Sequence, residues 1–169
     1  MSQMKDWFNN GKEVGPMIEI KKILIPTDFS EYSQFALKYA MALAESFKAR
    51  LYVVHVCEHA ITGAGTEAYH FSVPEFLADV EKAERESLEK IVSEIRSAGI
   101  DAQSVFTTGR AYIDIVDKAR ELDVDLITLA THGRKGLSHF VFGSTAEKIV
   151  RLAPCPVLTV KHPEHDFVK

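Results

Sequence analysis

The sequence has few cysteines, no long apolar run and no excess of positive charge, and each shortage excludes a class of protein. Only two of its 169 residues are cysteines, Cys57 and Cys155, and they form no CxxC or other close-spaced ligand pair. We therefore expect a reduced, cytoplasmic chain. No segment approaches the roughly 20 apolar residues of a membrane helix, so no membrane insertion is expected. The net charge of −4 predicts no binding to nucleic acid.

Two common catalytic motifs are also absent. The sequence contains no Walker-type GxxxxGK(S/T) loop and no GxSxG elbow around a nucleophilic serine. It shows no arginine finger and no nucleophile paired with a base, which are the parts that fast group transfer needs. We therefore assign no catalytic residues from the sequence.

What the chain does have is a regular alternation of apolar runs and amphipathic segments. Hydrophobic residues make up 46% of it, enough for the core of one domain. Short β-branched runs predict strands, and apolar residues at three- and four-residue spacing predict helices. Ser30 is the expected N-cap of the first helix, and the third helix is expected to bury Ile113, Val116 and Ala119. The predicted strands are 22–26, 49–56, 102–108, 125–131 and 154–161, and the predicted helices are 31–49, 73–98, 112–122 and 144–152.

This alternation predicts an α/β fold with a Rossmann-like open sheet of five parallel strands in the order 3-2-1-4-5 and helices on both faces. Such sheets bind ligands at the carboxyl ends of their strands. We expect residues 20–162 to form this domain, 1–19 an N-terminal extension and 163–169 a C-terminal tail. The apolar fifth strand is expected at a sheet edge, which favours a homodimer through that strand.

Glycines and hydroxyls cluster where the fourth strand ends and the last helix begins, in ATHGRKGLSHFVFGSTA at 130–146. Backbone N–H groups at a helix start attract anions, and glycine lets a phosphate approach closely. Gly133, Gly143, Ser144 and Thr145 are therefore candidate phosphate ligands, with Arg134 as a mobile cation beside them. Turns that merely need a positive φ, a serine N-cap and solvated loop cations are the alternatives.

The spacing of this segment resembles the nucleotide-binding signature of the universal stress protein family, G-2x-G-9x-G-(S/T). The match consists of a small residue, two positions, Gly133, nine positions and then Gly143 followed by Ser144. KKILIPTDFSEYS resembles the family's first strand and loop, and LYVVHV its second strand. Ala130 stands where the signature has its first glycine, and this methyl group lies at a point of close backbone approach.

The resemblance implies a binding site for ATP, with AMP or ADP as alternatives, and Mg²⁺ bridging phosphate oxygens. Asp28 would accept hydrogen bonds from ribose hydroxyls, although an Asx turn ahead of the first helix is the structural alternative. The other residues implied at the site are Pro26 and Thr27 near adenine and ribose, Val56 through its backbone, Ala130 and His132 beside the phosphates, and Gly133, Arg134, Gly143, Ser144 and Thr145 around them.

Three functions remain open from the sequence. The resemblance favours a nucleotide-responsive stress or regulatory module that binds ATP, acts on an unknown partner protein and hydrolyses ATP slowly at most. A protein-interaction member of the family without nucleotide is the second, and a genuine ATP-hydrolysing enzyme is the third. A zinc site at His55, Cys57, Glu58 and His59 is disfavoured, because the second pair of ligands that a closed site needs is missing. We assign no metal ligands.

Overall fold

The computed structural model describes residues 18–58, 73–132 and 143–161. Within these ranges it has nine elements that alternate as the sequence predicts, with ends that differ by at most three residues. The strands are β1 (Lys22–Pro26), β2 (Arg50–Cys57), β3 (Ala102–Thr108), β4 (Leu126–Ala130) and β5 (Val157–Val160), and the helices are α1 (Glu31–Phe47), α2 (Val73–Ser97), α3 (Ala111–Glu121) and α4 (Ser144–Leu152).

All five strands form one parallel sheet in the order β3-β2-β1-β4-β5, which confirms the predicted topology. The three middle residues of central strand β1, Ile23, Leu24 and Ile25, have no exposed surface, because both faces of the strand are covered. The register places Pro26, at the carboxyl end of β1, beside Val54 of β2.

Each face of the sheet carries its own hydrophobic core. Residues such as Ile25 and Leu88 form the core under α1 and α2, and residues such as Leu24, Ile115 and Ile149 form the core under α3 and α4. Helices therefore cover both faces, as predicted. In the described part of the chain no helix has the length and apolar content that crossing a bilayer requires.

Two apolar positions that fit the helical spacing are not buried. Ile113 was expected to face the core, but it is 40% exposed, and Ile115 at 4% takes its place beside Val116. Phe76 near the start of α2 is 50% exposed. The 25 residues of α2 span about 37 Å, against about 23 Å for the seven residues of β3, so the first turns of α2 extend beyond the sheet.

The arrangement creates a crevice between the ends of β1 and β4. The two strands are neighbours, yet the helices that follow them lie on opposite faces, since α1 packs with one core and α4 with the other. This divergence is the topological switch point at which open α/β sheets bind ligands. The predicted boundaries at 19/20 and 162/163 stay predictions, because 1–17 and 162–169 lie outside the described residues.

Candidate functional site

The loop that leaves β1 is held firmly by hydrogen bonds. The backbone N–H of Thr27 donates to the carbonyl of Val54 at 2.8 Å, which extends the pairing of β1 and β2 by one residue. The buried Thr27 hydroxyl accepts from the N–H of Phe29 at 3.1 Å. Phe29 has a φ of 63°, an uncommon value for a residue with a side chain. The loop therefore has a specific, constrained conformation next to the crevice.

Asp28 sits in this loop, half-buried, and forms the Asx turn that was the structural alternative to a ribose contact. Its Oδ1 accepts from the backbone N–H of Ser30 at 3.1 Å and from the Ser30 hydroxyl at 2.5 Å. Ser30 in turn caps α1, because its Oγ accepts from the N–H of Ser33 at 3.2 Å. The predicted N-cap is confirmed. The Asx turn fixes the Asp28 carboxylate at the end of β1.

The end of β4 supplies the opposite wall of the crevice. His132 is half-buried, with its Nδ1 at 3.0 Å from the Thr131 hydroxyl, and its ring centre lies 5.8 Å from that of Tyr32 in the first turn of α1. Ala130 packs against the core under α1 and not against the α4 side of the sheet. Its methyl group thus has a packing role on the face opposite α4.

The start of α4 lies directly beside the end of β4. The N–H of Gly143 donates to the carbonyl of Thr131 at 2.9 Å, which ties the helix start to the strand end. Gly143 is the N-cap residue and Ser144 the first residue of the helix, so the alternative of a serine N-cap is wrong here. The φ of Gly143 is −56°, which any residue adopts, so a positive φ does not explain this glycine either.

Other helix starts at this edge of the sheet already have side-chain caps. Ser30 caps α1, as described above. At α3, Glu58 Oε1 accepts from the N–H of Ala111 at 2.7 Å, and Asp114 Oδ2 accepts from the N–H of Arg110 at 2.7 Å. Gly143 has no side chain with which to cap α4. The first N–H groups of α4 therefore lack the acceptor that an N-cap side chain supplies.

The remaining predicted residues fall into three groups. Pro26 is half-buried, and the Val56 side chain is 9% exposed in the core under α3. Ser144 is exposed and Thr145 half-buried in the first turn of α4. Gly133 and Arg134 lie outside the described residues.

Two side chains of the disfavoured zinc site, those of His55 and Glu58, are engaged in other contacts, and His59 lies outside the described residues. His55 bonds to the carbonyl of Thr27 and to Glu84, and Glu58 caps α3. Burial raises the pKa of the Cys155 thiol, which keeps it protonated and unreactive near neutral pH. The Glu58 cap and the Thr27 contact of His55 were not predictable from the sequence, because their partners are 53 and 28 residues away.

Comparison with known proteins agrees with this architecture. A family model described as the universal stress protein family matches residues 19–161. The chain belongs to the universal stress protein family. It is 33% identical over 147 residues to universal stress protein MJ0531 of Methanocaldococcus jannaschii, a match that covers 86% of this chain and 85% of that protein. The resemblance noted in the sequence is thereby confirmed at the level of the family.

Two solved structures show how closely the fold of this universal stress protein matches its relatives. MJ0577 of M. jannaschii aligns with a TM-score of 0.73 at 27% identity, covering 88% of this chain and 100% of that one. A universal stress protein from Archaeoglobus fulgidus, solved in complex with dAMP, aligns with a TM-score of 0.58 at 25% identity, covering 86% of this chain and 100% of that one. Some structural neighbours of this chain thus bind adenine nucleotides.

Proposed function

We propose that this universal stress protein binds ATP in the crevice between β1 and β4 and acts as a cytoplasmic, nucleotide-responsive regulatory module. The observation that carries the proposal is the start of α4. This helix begins at a glycine beside the end of β4, whereas the starts of α1 and α3 are closed by their own caps. An anion at this edge of the sheet would therefore meet N–H donors at the start of α4 that no N-cap side chain occupies.

The other wall of the crevice suits the nucleoside. Asp28 is held at the end of β1 by its Asx turn, and a carboxylate there can accept hydrogen bonds from ribose hydroxyls. Pro26, Thr27 and the backbone of Val56 would line the adenine pocket. The A. fulgidus relative that binds dAMP supports this choice of ligand, because its whole length aligns with this chain.

The phosphates would lie along the α4 start, bound by the N–H groups and hydroxyls of Ser144 and Thr145. Ala130 and His132 would flank them, and Gly133 and Arg134, outside the described residues, would complete this side. The described residues contain no group of three or more side chains suited to a metal. Mg²⁺ would therefore be held through phosphate oxygens, where it neutralises part of their charge.

We infer that the protein is a regulatory module and not a fast enzyme. In the described part of the crevice, His132 and Asp28 already have structural contacts: His132 pairs with the Thr131 hydroxyl, and Asp28 accepts from Ser30 in its Asx turn. Hydrolysis would be slow at most. Bound nucleotide would instead change the conformation of segments 57–72 and 131–143 and so alter a surface that a partner protein recognises.

Calorimetry on nucleotide-stripped protein with Mg²⁺ tests the proposal. We expect ATP to bind with a dissociation constant on the order of micromolar, and ATP turnover to stay well below the typical enzyme median of about 10 per second. Saturating ATP should also slow proteolysis within 57–72 and 131–143. Turnover in the range of ordinary enzymes would favour the ATP-hydrolysing alternative, and no binding of ATP or AMP would favour the protein-interaction alternative.

We also propose that the protein forms a homodimer through β5. This strand lies at the edge of the sheet and exposes 37% of Leu158. Leu158→Lys should convert the dimer to a monomer, because a charge on an edge strand disfavours strand pairing. Light scattering after size-exclusion chromatography measures the oligomeric state. Phe47→Lys, at a side chain of similar exposure (41%) on α1, is the matched control and should remain dimeric. A wild-type monomer would contradict the proposal.

A further inference from the structure

His55 is a buried histidine that lies directly beneath the loop of the proposed nucleotide site. It is 3% exposed and projects from β2 towards α2. Its ring lies between two phenylalanine rings, with centre distances of 4.3 Å to Phe29 and 5.7 Å to Phe106. Phe29 belongs to the constrained loop that presents Asp28. His55 thus touches the loop from below without facing the crevice itself.

Both ring nitrogens of His55 face hydrogen-bond acceptors. Nδ1 lies 2.8 Å from the carbonyl oxygen of Thr27, and Nε2 lies 3.1 Å from Oε2 of Glu84. A carbonyl oxygen and a carboxylate oxygen can only accept, and a neutral imidazole carries one N–H. One proton on the ring can therefore satisfy only one of the two contacts. Both are satisfied when the ring is an imidazolium paired with the Glu84 carboxylate.

We propose that His55 is a positioning residue for the nucleotide and that the protonation of its pair with Glu84 controls nucleotide affinity. This inference rests on the proposed function and deepens it. The protonated ring donates to the Thr27 carbonyl and holds the loop from Thr27 to Ser30 in its observed conformation. That loop fixes the Asp28 carboxylate on which ribose binding depends.

Loss of the proton releases the loop. The single N–H of the neutral ring goes to Nε2, because a carboxylate is a stronger acceptor than a carbonyl. The lone pair of Nδ1 then faces the Thr27 carbonyl, which loses its donor and is repelled. Nucleotide binding would accordingly be coupled to proton uptake, and affinity would fall as the pH rises through the titration of the pair.

Other ionisable groups near His55 have partners of their own. On α2, Arg85 stacks over Phe106 at 4.1 Å, and two glutamates bond to β3: Glu81 to the hydroxyl of Thr108 and Glu89 to that of Ser104. Asp28 lies in the loop above, and Cys57 follows two residues along β2.

Glu84→Gln is the variant that separates this role from simple packing. The glutamine amide can donate to Nε2, which leaves the single N–H of a neutral ring on Nδ1 and facing Thr27. We expect wild-type affinity for ATP to fall about tenfold from pH 5.5 to 8, the usual effect of one lost buried hydrogen bond. Glu84→Gln should not show this tenfold fall. The terminal phosphate of ATP also titrates in this range, so the difference between the two profiles is the result.

Two substitutions of His55 provide the rescue test. His55→Phe keeps an aromatic ring between Phe29 and Phe106 but has no donor, and should bind ATP weakly and with the same change in affinity over this pH range as Glu84→Gln. His55→Asn carries an amide that can replace Nδ1–H, and should recover most of the affinity. Identical pH profiles for wild type and Glu84→Gln would overturn the proposal.

The ring itself can be observed without any nucleotide. Nitrogen-15 spectra of free protein should show both ring nitrogens protonated at low pH and the Nε2–H tautomer at high pH. Glu84→Gln should show the Nδ1–H tautomer at high pH. A wild-type ring in the Nδ1–H form at high pH would contradict the proposal even if ATP does not bind. Absence of ATP binding with the expected spectra would instead contradict the proposed function alone.

Discussion

Gly143→Asp is expected to weaken ATP binding on the order of 100-fold while leaving the fold intact. An aspartate at the N-cap of α4 would accept hydrogen bonds from the N–H groups proposed for phosphate and would repel phosphate charge. The backbone tolerates a side chain here, because φ is −56° and an added Cβ would lie 3.4 Å from the Thr131 carbonyl oxygen. Calorimetry with ATP measures the change in affinity.

Stability and affinity should change in opposite directions in this variant. Asp is a better N-cap than Gly and complements the helix dipole, so the free energy of unfolding should rise by about 0.5 kcal/mol. Gly143→Asn is the matched control: it can cap the same N–H groups without a charge and should lose less affinity than the aspartate. Full ATP affinity in Gly143→Asp would mean that the phosphates do not bind at this helix start.

Ile149→Ala should lower the free energy of unfolding by about 2–4 kcal/mol, the usual cost of removing a large buried aliphatic side chain. α4 has nine residues and buries only Ala146 and Ile149. Ile149 is 2% exposed in the core under α3 and α4, so it is the main anchor of the helix that carries the proposed phosphate site. Urea unfolding at a fixed protein concentration measures the effect.

Val150→Ala is the control on the same helix. Val150 is 43% exposed, so truncating it should change stability by no more than about 0.5 kcal/mol. Equal losses in the two variants would show that α4 is not anchored through Ile149.

Much of the fold was predictable because each local signal is strong by itself. An apolar run between a charge and a proline, such as KILIP, predicts a buried parallel strand. Ser30 predicts the start of a helix. Strict alternation of strands and helices then leaves few topologies. The inward face of α3 was less predictable: Ile113 and Ile115 are both compatible with Val116, and only the packing against the sheet chose Ile115.

The candidate site was predictable where it depends on the ends of elements. Gly143 was singled out because helix starts are visible in the sequence, and Asp28 because its segment resembles the family's first strand and loop. The supporting contacts were not, since they join residues distant in sequence. Glu58 reaches the start of α3 and His55 reaches Thr27 only because β2 lies beside both neighbours in the sheet.

The most direct test of the account is a backbone amide spectrum of nitrogen-15-labelled protein titrated with ATP and Mg²⁺. The N–H groups of Ser144, Thr145 and Ala146 should shift strongly, because they would become donors to phosphate. The N–H group of Arg110 should stay in place, because Asp114 within α3 already accepts from it. Shifts that leave the start of α4 unchanged would contradict the proposal that this helix binds the phosphates of a nucleotide.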